Sequence, residues 1–123
     1  MRSRNRASTN RTHDVIVVGG GSAGYAAART ASDAGADVAI VDQGPLGGLC
    51  ILRGCMPTKA ILRSAEVAAL FRRAKEFGLS SVSAQADLSA IVDRKNRLVR
   101  EFADYRIQQL QDPKLRLYRS RGT

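Results

Sequence analysis

The chain has 123 residues, of which 44% are hydrophobic and 25% are charged, values that predict one globular domain and exclude a low-complexity chain. No apolar run approaches the ~18 residues of a membrane span, which excludes a transmembrane protein. The net charge of +9 indicates an anionic partner only if the basic residues lie together on a folded surface.

The positive charge is concentrated at the two ends of the chain. Residues 1–13 and 112–123 together hold +7 of the net charge. Arginines interleaved with small polar residues, without apolar periodicity, predict a disordered basic tail over residues 1–13. A nucleic-acid arm and an organellar transit peptide are the alternatives, but no aromatic residue accompanies the arginines and the segment is short for a transit peptide. We therefore expect no nucleic-acid or membrane partner and, without an apolar signal segment before Asp14, a cytoplasmic location.

The first ordered segment has the pattern of strand, turn, helix and strand. Val15–Val18 is a β-branched run typical of a strand that is buried on both faces in a parallel sheet. A glycine-rich turn follows, and then an alanine-rich helix over about residues 25–34 that Gly35 ends. Val38–Val41 repeats the strand pattern. The sequence therefore predicts a βαβ unit at the start of an α/β domain over residues 14–123.

Two helices and a short strand are predicted after this unit. Pro57 suits the first turn of a helix that Gly78 ends, and a serine-rich link follows. Asp87 is placed to cap a long second helix over residues 88–111. Residues 115–118 alternate and predict the start of a strand for which the chain shows no partner.

The glycine turn carries the strongest binding signal. Gly19, Gly21 and Gly24 form a G-x-G-x-x-G pattern, whose glycines make the tight turn, admit a pyrophosphate and let the helix approach the strand. Asp42 ends the second strand, where a carboxylate accepts hydrogen bonds from ribose hydroxyls. A nucleoside-triphosphate loop is excluded because Tyr-Ala follows Gly24 where Lys-Ser or Lys-Thr is needed. A turn that only packs a strand–helix corner is the alternative, and the full context favours a dinucleotide site in a Rossmann-like domain.

The two cysteines, Cys50 and Cys55, allow three interpretations. A zinc site needs further ligands, and the only histidine is His13 in the predicted tail. A structural disulfide that closes so short a loop stabilises little and fits poorly with a chain that is not exported. A reversible, redox-active disulfide is favoured over both.

The spacing of the cysteines predicts a break in regular structure. Residues five apart in an ideal helix have Cα atoms about 8.6 Å apart, whereas a disulfide needs at most about 6.8 Å. The segment therefore cannot be a regular helix when it is oxidised, and Gly54 is well placed to let it tighten. Arg53 and Lys59 lie nearby, so we expect lowered thiol pKa values.

The segment around the cysteines resembles the active-site signature of the class I pyridine nucleotide–disulfide oxidoreductases. Residues 47–59 have two glycines before the first cysteine and Pro-x-Lys after the second. The glycine fingerprint and Asp42 precede them in the order and spacing of that family, which includes dihydrolipoamide dehydrogenase, glutathione reductase and mercuric reductase. The resemblance implies the N-terminal βαβ part of a Rossmann-like FAD-binding domain, incomplete and followed by two helices.

The resemblance also implies a role for each matching residue. Cys55 would contact the flavin and pass electrons, Cys50 would exchange with a disulfide substrate, and Lys59 would stabilise the anionic reduced flavin. FAD would be held by residues of the glycine turn, of the second strand's end and of the segment that leads to the cysteines: Gly19, Gly21, Ser22, Ala23, Gly24, Asp42, Gly48, Leu49, Cys50 and Lys59. No residue is assigned to a metal site.

Further partners are implied outside residues 14–123. NAD(P)H would be the co-substrate, bound by a domain that this chain does not contain, and a homodimer would supply a catalytic histidine from the other subunit. The substrate would be a small disulfide, a dithiol or a metal ion. The chain would be an N-terminal fragment that is inactive alone. The alternative is a non-catalytic dinucleotide-binding or basic interaction module.

Overall fold

A parallel sheet and its flanking helices make up residues 12–80 and 83–122, the part of the chain that the computed structural model describes. The elements in chain order are β1 Val15–Val18, α1 Ser22–Asp33, β2 Val38–Val41, α2 Gly48–Leu52, α3 Cys55–Arg72, α4 Leu88–Leu110 and β3 Leu115–Tyr118. A short 3-10 turn over Ala74–Phe77 follows α3. The predicted strand–turn–helix–strand unit and the α/β fold class are confirmed.

The sheet has the strand order β1-β2-β3, and both pairs of strands are parallel. Val15 pairs with Val38, and Val38 pairs with Leu115, so the three strands begin at the same level. The expectation that the third strand has no partner is therefore wrong, because α2 through α4 return the chain to the free edge of β2. The residues that follow the three strands lie together at the carboxyl edge of the sheet.

The core lies on one face of the sheet. Ala28 of α1 and Leu110 of α4 are fully buried, and they form one cluster with Val38 and Ile40 of β2. Leu115 of β3 belongs to the same cluster. Alanine at the contact point of α1 lets that helix approach the strands closely. The two helices therefore hold the βαβ unit and the third strand together.

The opposite face of β1 is open to solvent. Ile16 is 59% exposed and Val18 is 72% exposed, whereas Val38, Ala39 and Ile40 in the central strand are fully buried. The prediction that β1 is buried on both faces is therefore wrong in this structure. The physical reason is that α1 and α4 cover one face, and β1 lies at the edge of the sheet.

The packed part of the chain begins at His13. Residues 1–11 of the predicted tail lie outside the described residues. The His13 side chain is only 4% exposed, with Nδ1 3.1 Å from an Asp37 carboxylate oxygen and Nε2 3.0 Å from the Tyr118 hydroxyl. His13 therefore links the beginnings of β1 and β2 to the last residue of β3, and it is not part of a solvated tail.

The later helices differ from the prediction mainly at their ends. α3 begins at Cys55, two residues before Pro57, and ends at Arg72, while Gly78 with φ 72° ends the 3-10 turn. α4 begins as predicted, because the Asp87 carboxylate accepts a hydrogen bond of 3.0 Å from the Ala90 amide. Within the described residues, no helix is both long and apolar enough to cross a membrane.

Candidate functional site

The glycine turn joins β1 to α1 at the carboxyl edge of the sheet. Gly19 has φ 98°, in the left-handed region that favours glycine. A Cβ atom on Gly24 would overlap the carbonyl oxygen of Gly19, so only glycine lets α1 start this close to β1. A Cβ atom on Gly21 would meet nothing closer than the Gly48 Cα at 3.7 Å. Gly21 therefore has room for a Cβ atom in ordinary contact with Gly48, whereas Gly24 has none.

The N terminus of α1 is free to receive an anion. Gly21 is the N-cap residue and no side chain caps the helix. The amides of Ser22, Ala23 and Gly24 in the first turn have no acceptor within the helix. These N–H groups and the positive end of the helix dipole suit the pyrophosphate of a dinucleotide.

Asp42 holds the glycine turn and the next loop in place. Its Oδ2 accepts a hydrogen bond of 2.6 Å from the Gly20 amide, and its Oδ1 accepts one of 2.7 Å from the Gly44 amide. Each carboxylate oxygen keeps a lone pair for a further donor such as a ribose hydroxyl. Sequence reasoning assigned this residue to a ribose alone and missed its bonds to the two loops.

Gly48 brings the cysteine segment against the glycine turn. It has φ 75°, and a Cβ atom there would lie 2.6 Å from the Gly21 Cα. The backbones of these two glycines are therefore in direct contact. Leu49 follows with 76% of its surface exposed, and Cys50 lies in the middle of α2. The predicted pyrophosphate site and the cysteines are thus joined by one short helix.

The two cysteines lie on either side of a break between two helices. α2 ends at Leu52, and Cys55 is the first residue of α3, with Arg53 and Gly54 between them. A Cβ atom on Gly54 would lie 3.2 Å from the Leu49 carbonyl oxygen and 3.3 Å from the Cys50 Cα, so a side chain there would crowd the fold-back. Both cysteines are free thiols in this structure, and they do not share one regular helix.

The Cys50 side chain raises the pKa of the Cys55 thiol above its ordinary value, first through a hydrogen bond and then through its charge. Lys59, one turn further along α3, acts in the opposite direction and lowers the pKa of Cys55. The expectation of a lowered pKa is therefore wrong for Cys55 in the dithiol form. The reason is that the neighbouring sulfur outweighs the more distant ammonium group.

Arg119 is a residue near this site that sequence reasoning missed. It directly follows β3, and its Nη2 would lie 2.8 Å from a Cβ atom on Gly44. The only signal in the sequence is its position after the third strand. Within residues 12–80 and 83–122, no cluster of three or more His, Cys, Asp or Glu side chains could hold a metal ion.

Comparison with known proteins places this arrangement among flavoenzymes. A family described as "Pyridine nucleotide-disulphide oxidoreductase" matches residues 13–118. The chain is similar to dihydrolipoyl dehydrogenase of Chlamydia muridarum, with 38% identity over 93% of this chain and 24% of that protein. It is also similar to mercuric reductase of Lysinibacillus sphaericus, with 31% identity over 81% of this chain and 18% of that protein.

A solved structure has the same arrangement of elements. It is the Cu(II) complex of the HOCl-induced flavoprotein disulfide reductase RclA from Escherichia coli, with a TM-score of 0.68 and 26% sequence identity. The match covers 88% of this chain and 22% of that chain. The chain thus spans about a quarter or less of the length of the relatives that it matches.

Proposed function

This chain belongs to the pyridine nucleotide-disulphide oxidoreductase family, and we propose that it contributes the FAD pyrophosphate site and the redox-active cysteine pair of a flavin-dependent disulfide oxidoreductase. The observation that carries the proposal is the contact between Gly48 and Gly21, which joins the cysteine segment to the dinucleotide turn. The relatives favour an enzyme of the dihydrolipoyl dehydrogenase type.

The residues of the glycine turn fit the cofactor. Gly19 and Gly24 set the path of the turn, and the absence of a side chain at Gly21 lets a pyrophosphate approach the backbone. The uncapped amides of Ser22 and Ala23 donate to it. Asp42 accepts from the adenosine ribose while it keeps its bonds to the turn. Gly48, Leu49 and Cys50 lead from there towards the cysteine pair.

The cysteine pair carries the electrons. Oxidation of the dithiol forms one bond between the sulfurs of Cys50 and Cys55 and releases two protons and two electrons. FAD, when bound, supplies a two-electron acceptor for this step. We assign Cys55 to the flavin side because the second cysteine of the motif has this role in the family that the segment resembles. Cys50 is then the sulfur that exchanges with a disulfide substrate.

The remaining parts of the reaction belong to the whole protein. We propose NAD(P)H as the co-substrate, bound outside this chain, and a small disulfide, a dithiol or a metal ion as the substrate. A homodimer in the cytoplasm is proposed on the same basis. The basic residues 1–11 have no part in this scheme.

Titration of the purified chain with FAD tests the proposal. We expect saturable binding, seen as a change in flavin fluorescence, that weakens about tenfold or more in Gly21→Ala, because the added methyl group enters the path of the pyrophosphate. The matched control is Ser89→Ala, a small change at an exposed position in the first turn of α4. Absence of FAD binding by the unaltered, folded chain would contradict the proposal.

The cysteine pair needs its own measurement. We expect two titratable thiols after reduction and none after exposure to a disulfide such as oxidised lipoamide. The mass of the chain should fall by two hydrogens only, because no substrate group stays attached. With a linear disulfide such as oxidised glutathione, Cys55→Ser should instead form a mixed disulfide through Cys50 and release one equivalent of glutathione thiol. Failure of the unaltered chain to form an intramolecular disulfide would contradict the assignment of the pair.

A further inference from the structure

We propose that Arg119 is a further residue of the FAD site and that its planar guanidinium group contacts the adenosine half of the cofactor. The inference depends on the proposed function for the identity of the ligand. The structure supplies the position of the Arg119 side chain, which lies at the carboxyl edge of the sheet near Asp42, the residue assigned to the ribose.

The first step concerns where the Arg119 backbone lies. The Asp42 amide donates a hydrogen bond of 3.0 Å to the Tyr118 carbonyl oxygen, so β3 ends level with β2. Arg119 is the next residue and therefore lies at the edge where ligands bind in open α/β sheets. Asp42 itself follows β2 at the same edge.

The second step concerns where its side chain lies. A Cβ atom on Gly44 would lie 2.8 Å from Nη2 and 3.7 Å from Cζ of Arg119, so the guanidinium group lies on the backbone of Gly44. Gly44 has φ 85° and donates its amide to Asp42. The guanidinium group and the Asp42 carboxylate thus both lie against Gly44, in the loop that follows β2.

The segment after β3 is held down on the sheet. The Ser120 amide donates to the Tyr118 carbonyl oxygen at 3.0 Å. A Cβ atom on Gly122 would lie 3.1 Å from Val18 Cγ1 and 3.9 Å from Val41 Cγ1. Residues 119–122 therefore cross from β3 over the ends of β2 and β1. This path fixes the Arg119 backbone at the carboxyl edge of the sheet, next to the loop that follows β2.

The charge of Arg119 is available to a ligand. Within the described residues, no carboxylate lies within 4.0 Å of its guanidinium nitrogens. Arg116 on the same strand differs, because its Nε is 3.7 Å from Asp37 at the other end of the sheet. A guanidinium group stacks on a flat aromatic ring and donates several hydrogen bonds in one plane. An adenine ring with its ribose, held by Asp42, offers both kinds of contact.

The test compares Arg119→Ala and Arg119→Lys with the matched control Arg116→Ala, which removes the same charge three residues earlier, within β3. FAD affinity is measured by flavin fluorescence, and ADP and inorganic pyrophosphate are used as competitors. We expect both Arg119 variants to bind FAD and ADP about tenfold more weakly, with the pyrophosphate affinity changed less than about twofold. Arg116→Ala should behave like the unaltered chain, and all variants should keep the same thermal midpoint.

Each other outcome has a definite meaning. Unchanged FAD affinity in Arg119→Ala would overturn the inference and leave the proposed function intact. Full affinity in Arg119→Lys, or equal losses for pyrophosphate and ADP, would also overturn it, since either result reports charge and not a planar contact with adenosine. A folded, unaltered chain that binds neither FAD nor ADP would overturn the proposed function and this inference together.

Discussion

Gly24→Ala should destabilise the fold far more than Gly21→Ala, although both change a glycine of the same turn. A Cβ atom on Gly24 would overlap the Gly19 carbonyl oxygen and lie 3.2 Å from Val17 Cγ1. Overpacking of this kind costs about 1–3 kcal/mol, and the better helix propensity of alanine returns at most about 1 kcal/mol. The overlapped atom belongs to the backbone and cannot rotate away, so the upper end of the range applies, and about 3 less about 1 kcal/mol leaves a net loss of about 2 kcal/mol in the free energy of unfolding.

Gly21→Ala gives the comparison. Gly21 has φ −70°, which alanine adopts freely, and its added Cβ would make only an ordinary contact at 3.7 Å. The loss of glycine at the N-cap should cost less than about 1 kcal/mol.

The assay is thermal and urea unfolding followed by circular dichroism, without FAD. A loss of 2 kcal/mol lowers the Tm by about 10 °C in a domain of this size, so Gly24→Ala should melt well below Gly21→Ala. Equal midpoints for Gly24→Ala and the unaltered chain would refute the close approach of α1 to β1. A fall in the Gly21→Ala midpoint as large as that of Gly24→Ala would refute the room for a Cβ atom between Gly21 and Gly48.

Three further predictions use other parts of the structure. Cys50→Ala should lower the pKa of Cys55, because Cys50 is the main cause of its raised pKa. Alkylation of Cys55 by iodoacetamide should then reach half its maximal rate at a lower pH than in the reduced, unaltered chain. An unchanged pH profile would contradict this prediction. Asp87→Ala should cost about 1 kcal/mol by removing the cap of α4, measured by urea unfolding against Asp87→Asn, which should lose less. His13→Ala should cost about 2 kcal/mol because it removes two hydrogen bonds from a nearly buried side chain; a Tm equal to that of Arg116→Ala would show that these bonds contribute nothing.

The sequence predicted the local elements well where one residue type decides the outcome. The β-branched runs predicted the first and last residues of β1 and β2 correctly, and Asp87 predicted the start of α4. The partner of β3 was not predictable in the same way, because strand pairing depends on how three intervening helices return the chain to the sheet. The start of α3 at Cys55 was missed for a similar reason, since it follows from the fold-back at Gly54.

Within the site, the sequence identified residues by type but not by contact. The glycine pattern predicted a turn with a left-handed residue and a position without room for a side chain, and Gly19 and Gly24 have these two properties in turn. The pKa of Cys55 was predicted in the wrong direction, because the distance between two thiols decides whether a nearby lysine dominates. Arg119 was missed because it lies 77 positions after Asp42 in the sequence. Only the pairing of β3 with β2 brings it to the loop that follows Asp42.

Asp42 shows why such contacts change the interpretation of a motif. Its two carboxylate oxygens already accept from Gly20 and Gly44, which tie the turn after β1 to the loop after β2. A ribose hydroxyl that binds there meets a carboxylate whose position is fixed before the ligand arrives, so less conformational entropy is lost on binding. The same carboxylate can therefore hold the carboxyl edge of the sheet in shape and present a fixed acceptor to a ligand.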